Sequence, residues 1–292
     1  MKSEYEELTP LLKLLDDPDP EVVTAVQNRI LNIGKEAIPF LDKIWKQTDN
    51  PVIFKNIDFL IDQIRTRDLK QDFSNWFSDP DTSLIEGCQL LARIQYPELT
   101  VDTVRKLIYP IQNKIWLELN QHLTALEKIN IFNHFFYDEF GFRLNTENPD
   151  LPGNHFINQV LDTFRGNTFS IAMLYILLAQ ELGLPVYGIK VSVNILLVYH
   201  DILFPSPVKK IPSGAGVLFY INPVRKGTVI GYRDLMFYLT QNKLPNGPEQ
   251  FRASTYQDLI SMQLTRLASD YRFYGNQKRA NLVDELRLLQ AK

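Results

Sequence analysis

The chain has 292 residues, of which 45% are hydrophobic and 22% are charged, and its formal net charge is −3 at pH 7. These values are typical of a globular protein with one large domain or two to three small ones. The slight negative charge, and the lack of any Lys/Arg run longer than two residues, give no electrostatic case for nucleic-acid binding. A single cysteine excludes an intrachain disulfide framework.

The first residues of the chain carry several acidic side chains and no apolar stretch of the kind that a signal peptide requires. The longest uncharged apolar segment, around residues 166–180, is shorter than the roughly 18 residues expected of a membrane span. We therefore expect a cytoplasmic protein that uses neither a membrane nor nucleic acid as a partner.

The first 83 residues have the pattern of helices in pairs. Asp19 suits an N-cap, and Pro20 suits the first helical position, where its missing N–H costs nothing. Similar turns with proline return at 49–51 and at 79–80, so the pattern recurs at roughly 30-residue intervals, which resembles HEAT-type repeats. Ordinary helical hairpins without repetition are the alternative. We predict a HEAT-like helical region over residues 1–83.

A helix that is apolar on every side is predicted at about 168–182, with Thr168 in its first turn. Such a helix is buried all round. Gly166 and Asn167 indicate the turn before it, and Gly183 and Pro185 indicate its end. We expect this helix to lie at the centre of the fold.

The sequence after this helix changes to β-rich segments and then returns to helices. Three strands are predicted, at 186–191, 194–199 and 217–221, and with no helix between them they favour an antiparallel sheet packed on the central helix. The tail is predicted to form two helices, the first capped by Ser254 and the second ending near Leu289.

The residues 165–172, Arg-Gly-Asn-Thr-Phe-Ser-Ile-Ala, followed nine residues later by Leu-Gly-Leu-Pro, resemble the core of transglutaminase-like cysteine enzymes. The closest resemblance is to the SirB family, in which such a core precedes tetratricopeptide-type helices. It covers roughly residues 85–290. Four further strings carry it, at 88–97, 138–142, 158–161 and 221–223.

The resemblance implies a catalytic triad at three positions, and the chain departs from it at all three. The superfamily uses a Cys at a helix N-terminus, a His base and an orienting Asp; the matching positions here are Thr168, Asn194 and Asn222. Asparagine does not titrate, so no base at this site can deprotonate the threonine hydroxyl. Because disabling a triad lowers rates by about 10⁶, the resemblance implies a pseudoenzyme.

Three other residues are candidates to replace members of the triad. His155, just ahead of the motif, could act as a displaced base, which keeps an amide-directed hydrolase or acyl transferase using Thr168 as the alternative function. Cys88 is interpreted as a small buried residue in a helix. His200 is interpreted as a surface or strand-end residue, because it lies six strand positions beyond Asn194.

A neutral polar pocket is the predicted site, able to bind a peptide or amide group without reacting with it. Equally, the amides could bond to one another and fill it, which would leave a structural scaffold with an inert pocket. No cofactor and no metal ion are expected. The candidate residues are Asn154, His155, Asn158, Asn167, Thr168, Asn194 and Asn222.

The sequence thus predicts an α+β, mainly helical protein. A transglutaminase-like core of the papain-like cysteine protease type, with a small antiparallel sheet, spans 84–240. A helical hairpin resembling one tetratricopeptide unit spans 241–292. The expected function is that of a non-catalytic cytoplasmic module that binds a protein or peptide.

Overall fold

The computed structural model describes residues 10–191, 194–201, 216–244 and 253–291. In these ranges the protein is mainly helical with small sheets, as the sequence predicts. The chain divides into two compact units, Met1–Asp72 and Phe73–Lys292. The predicted domain boundaries, after residues 83 and 240, remain predictions. None of the described helices combines the length and apolar character of a membrane span.

The first unit is helical in its described residues. Its helices are α1 (Pro20–Ile33), a 3₁₀ turn (Gly34–Ala37), α2 (Ile38–Trp45) and α3 (Pro51–Ser78), whose last residues belong to the second unit. The predicted cap is confirmed: the Asp19 carboxylate accepts a hydrogen bond from Glu21 N, and Pro20 stands at the first helical position. Ile30, Leu41 and Ile57 meet in a shared buried core.

Eight helices of the described ranges lie in the second unit. They are α4 (Leu84–Arg93), α5 (Val101–Trp116), α6 (Ala125–Asn133), α7 (Ile157–Thr163), α8 (Thr168–Glu181), α9 (Tyr232–Gln241), α10 (Tyr256–Phe273) and α11 (Gln277–Leu288). Helix α6 continues as a π-helix (His134–Glu139), and a 3₁₀ turn (Pro152–His155) precedes α7. A capping box formed by Ser83 and Glu86 begins α4.

Four antiparallel strands form the main sheet, and each pairs with the next one along the chain. They are β3 (Val186–Val191), β4 (Asn194–His200), β5 (Val217–Asn222) and β6 (Thr228–Ile230). The three predicted strands are confirmed. Strand β6 was not predicted, because three residues are too few to show a period. Two-residue strands β1 (Arg143–Leu144) and β2 (Arg165–Gly166) pair in parallel just before α8.

Helix α8 is the centre of the second unit, and it begins at Thr168 as predicted. Every residue from Ser170 to Ala179 is buried, which is the consequence of its apolar surface on all sides. Gly188 of β3 permits close packing on this helix, since a Cβ there would lie 3.2 Å from Ile176 Cδ1.

The predicted C-terminal hairpin is formed by α10 and α11. The predicted N-cap of α10, Ser254, is wrong by one residue. Thr255 is the N-cap of α10, because Asp258 three residues later completes a capping box, whereas Ser254 is buried before the helix. The hairpin packs against the core, where Gln257 Nε2 of α10 donates to Thr82 Oγ1 at 3.0 Å.

Candidate binding site at the N-terminus of the central helix

The first turn of α8 is held by the side chain that precedes it. Asn167 Oδ1 accepts hydrogen bonds from the backbone N–H groups of Phe169 and Ser170, both at 2.9 Å. Ser170 Oγ in return accepts from Asn167 N at 2.9 Å. These bonds satisfy helix N-terminal donors that have no intrahelical partner. Thr168 is therefore fixed as the first helical residue, and it is half-buried.

A cavity of about 360 Å³ lies beside this turn. One wall is formed by residues 144–146 and Pro149, the other by residues 166–169, and Arg266 of α10 completes the lining. Arg266 is the one ionisable side chain among these lining residues. A guanidinium stays protonated at all ordinary pH values, so it cannot serve as a base.

His155 is completely buried behind this wall, and both of its ring nitrogens have partners. Nε2 lies 2.7 Å from Asp270 Oδ2, and Nδ1 lies 3.0 Å from Asn167 Nδ2. Burial lowers the pKa of the imidazole; Asp270 opposes this shift and the positive charge of Arg266 adds to it. A neutral ring with both nitrogens engaged has no free lone pair for the Thr168 hydroxyl. The geometry therefore does not support His155 as a displaced base.

The sequence interpretation did not include Asp270 and Arg266. Asp270 is buried, and its second oxygen, Oδ1, lies 3.0 Å from Arg266 Nε. Arg266 also pairs with Asp150. The spacing of four residues between Arg266 and Asp270 is a recognisable helical ion-pair signal. No sequence signal connects Asp270 to His155, which lies 115 positions earlier.

Neither Asn154 nor Asn158 is among the described residues that line the cavity. Asn154 Oδ1 accepts from Asn145 Nδ2 at 2.9 Å, and Asn154 Nδ2 donates to the carbonyl of Asn148 at 2.7 Å. These bonds fix the loop that forms one side of the cavity. The buried Oδ1 of Asn158 has no hydrogen-bond partner within the described ranges.

Asn222 ends strand β5 and shapes the turn that follows. Its Oδ1 accepts from Val224 N at 3.2 Å, and its carbonyl oxygen accepts from Gly227 N at 3.0 Å. The pairing of Leu197 with Ile221 puts Asn222 at the same end of the sheet as Asn194, the first residue of β4. The Asn194 side chain lies outside the described residues. Asn167 and Thr168 line the cavity, and Asn222 is not among its described lining residues.

The remaining thiol and imidazole candidates lie elsewhere. Cys88 of α4 is buried, and burial raises its thiol pKa to about 12, so the prediction of a small buried residue is confirmed. His200 occupies the end of β4, as predicted, but it is buried and not on the surface. Its Nδ1 lies 3.0 Å from the carbonyl oxygen of Asp201.

Comparisons with known proteins give low-identity relatives. The UPF0162 protein of Vibrio cholerae is 28% identical over 162 residues, which are 56% of this chain and 55% of the relative. That of Xylella fastidiosa is 26% identical over 111 residues, 38% of this chain and 40% of the relative. That of Pasteurella multocida is 30% identical over 80 residues, 27% of this chain and 30% of the relative.

The chain thus spans about half or less of the length of these curated relatives. No solved structure matches it. The family described as the transglutaminase-like superfamily matches residues 102–267, which include α8 and all of the described cavity lining. Since this match covers more than half of the chain, the chain belongs to the transglutaminase-like superfamily.

Proposed function

We propose that this chain is a non-catalytic transglutaminase-like module that binds a peptide segment of a partner protein in the cavity beside Thr168. One observation carries the proposal. Thr168 borders an open cavity of about 360 Å³, while the histidine behind the wall, His155, is buried with both nitrogens engaged. The cavity is therefore open to a ligand but has no base among its described lining residues.

The lining suits the amide groups of a peptide. Thr168 and Thr146 carry hydroxyls that can donate and accept hydrogen bonds, and Asn145 carries an amide. Leu144 and Pro149 supply apolar surface beside them. A cavity at the lower end of the volume range of small-ligand sites, about 300–1,000 Å³, can hold a side chain and its neighbouring peptide groups.

The departures from the triad support binding without chemistry. In a SirB-like core of papain-like type, Thr168, Asn194 and Asn222 stand at the positions of the nucleophile, the base and the orienting acid. A hydroxyl without a base is a weak nucleophile at neutral pH. An open cavity also favours binding over a scaffold with a filled, inert pocket, in which the polar side chains would occupy this space themselves.

The helices outside the core extend the proposal to larger partners. We regard α1, α2 and α3 as a HEAT-like region, and the hairpin of α10 and α11 as a tetratricopeptide-like unit. Helical pairs of both kinds present broad surfaces to proteins. Partner contacts on these helices would add affinity to a peptide held in the cavity.

A peptide array with two matched variants tests the proposal. Capped octapeptides of varied sequence are immobilised and probed with the labelled full chain, with Thr168→Trp, and with Thr103→Trp. Both threonines lie in the first turn of a helix, but Thr103 is exposed on α5 and does not line the cavity. Thermal melting verifies that each variant is folded.

Binding of a defined set of peptides by wild type and Thr103→Trp, lost in folded Thr168→Trp, is the expected result. Equal binding by all three proteins would move the binding site away from the cavity. Cleavage or acyl transfer of a bound peptide that disappears in Thr168→Ala would overturn the non-catalytic assignment.

A further inference from the structure

Asp270 connects two lining residues of the cavity, Arg266 and Asn167, through its two carboxylate oxygens. Oδ1 holds Arg266, which lines the cavity, at 3.0 Å. Oδ2 holds His155 at 2.7 Å, and His155 holds Asn167, a second lining residue, at 3.0 Å. The carboxylate itself is buried and lies three residues beyond the end of the family match at 267.

The hydrogen-bond geometry fixes every proton in this chain of contacts. Asn167 Oδ1 accepts from two backbone N–H groups, so its Nδ2 must be the end that faces His155. His155 Nδ1 must then be the acceptor, and the ring proton must sit on Nε2, where it donates to Asp270 Oδ2. A carboxylate can accept on both oxygens at once, from His155 and from Arg266.

We propose that Asp270 is the positioning residue of this cavity, acting on Arg266 directly and on Asn167 through His155. The inference builds on the proposed function, because the affinity of the cavity for peptides depends on these two lining residues. Through Asp270 and His155, helix α10 of the C-terminal hairpin controls the orientation of Asn167, the N-cap residue of the central helix α8.

The side chain in Asp270→Asn keeps the same shape, but its single oxygen can accept a hydrogen bond from only one of the two partners, His155 or Arg266. If its oxygen stays on His155, its NH₂ group faces the Nε–H of Arg266, and that bond is lost. If its oxygen turns to Arg266, its NH₂ group faces His155 Nε2, and the imidazole must carry its proton on Nδ1. Nδ1–H then opposes the NH₂ group of Asn167, and the cap of α8 is disturbed.

Nuclear magnetic resonance of the full chain, with ¹⁵N-labelled histidine and arginine, tests the inference without any ligand. Wild type is expected to show the His155 ring protonated on Nε2 alone. In Asp270→Asn, one of two changes is expected: a His155 ring protonated on Nδ1 with roughly fivefold faster exchange of the Ser170 amide, the size expected for loss of a typical N-cap, or loss of exchange protection at Arg266 Nε–H.

Asp284→Asn is the matched control, since it removes the ion pair of Asp284 with Arg272 within the same hairpin and leaves Asp270 intact. It is expected to change none of these signals. A wild-type His155 protonated on Nδ1 would overturn the inference even if Asp270→Asn failed to fold. Unchanged His155, Ser170 and Arg266 signals in folded Asp270→Asn would overturn it as well.

A binding measurement then connects the relay, meaning the hydrogen-bonded series Asp270, His155 and Asn167, to the cavity. Octapeptides captured by wild type are expected to bind Asp270→Asn at least tenfold more weakly and Asp284→Asn as well as wild type. Undiminished binding by Asp270→Asn would refute the positioning role. If wild type captures no peptide, the proposed function fails, while the resonance measurements still decide whether Asp270 orients Asn167 and Arg266.

Discussion

Two regions of the central helix α8 are built on different physical principles. Around its middle, Tyr175 packs on Phe132 and Phe136, with ring centroids 4.4 Å and 5.2 Å away. At its N-terminus, Asn167, His155 and Asp270 form a chain of directed hydrogen bonds. Apolar contact is non-directional and scales with area, whereas each link of the polar chain depends on the right atom in the right place.

This difference predicts opposite responses to conservative changes. The aromatic region should tolerate a change that keeps volume and keeps the hydrogen bond from the Tyr175 hydroxyl to Asn133 Oδ1 at 2.8 Å, and it should fail when volume is removed. The polar region should fail even when volume and shape are kept, because a buried donor then loses its acceptor. Variants that change volume and hydrogen bonding separately test this difference.

The largest effect is expected from removing volume in the aromatic region. Tyr175→Ala should lower the free energy of unfolding by about 3–5 kcal/mol, since Tyr175 is fully buried and the cavity left behind cannot close completely. Urea unfolding measures it. Phe273→Ala is the control, because Phe273 is 73% exposed and its loss should change stability by less than about 0.5 kcal/mol. Equal losses in the two variants would show that α8 is not the centre of the fold.

Removing the buried carboxylate should have the next largest effect. Asp270→Ala leaves the His155 Nε2–H without an acceptor and should cost about 2–3 kcal/mol in the same assay. Asp284→Ala, which removes a partly exposed ion pair, should cost less than about 1 kcal/mol. Similar losses at the two positions would erase the distinction between the relay and an ordinary surface ion pair.

Two asparagine caps allow the relay to be separated from capping. Asn167 and Asn276 both accept backbone hydrogen bonds at a helix start, but Asn167 also holds His155. Asn276→Ala should cost about 1 kcal/mol, and Asn167→Ala about 1.5–2 kcal/mol because it also removes a buried partner. Guanidinium unfolding compares them. A smaller loss at Asn167 than at Asn276 would mean that the contact with His155 adds nothing.

The smallest expected effect is a pH dependence that arises from His155. Its pKa in the folded protein lies below the ordinary value of 6.5, so as the pH falls through 6.5 the unfolded chain takes up a proton that the folded protein does not. Stability should therefore fall on acidification from about pH 7.5 to about pH 5.5, because only the unfolded chain gains this proton. Measuring the free energy of unfolding at both pH values in wild type and in His155→Gln isolates the contribution of His155. The same slope in the two proteins would contradict the buried neutral imidazole.

The aromatic region and the polar region also differ in how far the sequence predicts them. The burial of α8 and its start at Thr168 follow from an uncharged run, a local pattern that a single segment displays. The short strand β6 is missed because three residues contain no usable period. The cap of α10 is missed by one residue, since Ser254 and Thr255 are both suitable cap residues and only the partner of Thr255 decides between them.

The polar relay depends on contacts that no local pattern records. His155 and Asp270 come from segments 115 positions apart. The sequence singles out His155 for its place ahead of the motif, but not its burial or its carboxylate partner. Burial changes its interpretation from a possible base to a neutral hydrogen-bonding residue, and that change could not be foreseen from composition or spacing.

The masses of peptides that have been bound by the protein show whether the cavity binds without reacting. Octapeptides captured by wild type are incubated with wild type and, separately, with Thr168→Ala. The peptides are then released and their masses are measured by mass spectrometry. We expect the released peptides to keep their original mass with both proteins, because the cavity binds without reacting. Peptides shortened or joined by wild type, and unchanged by Thr168→Ala, would contradict the account and make Thr168 a nucleophile.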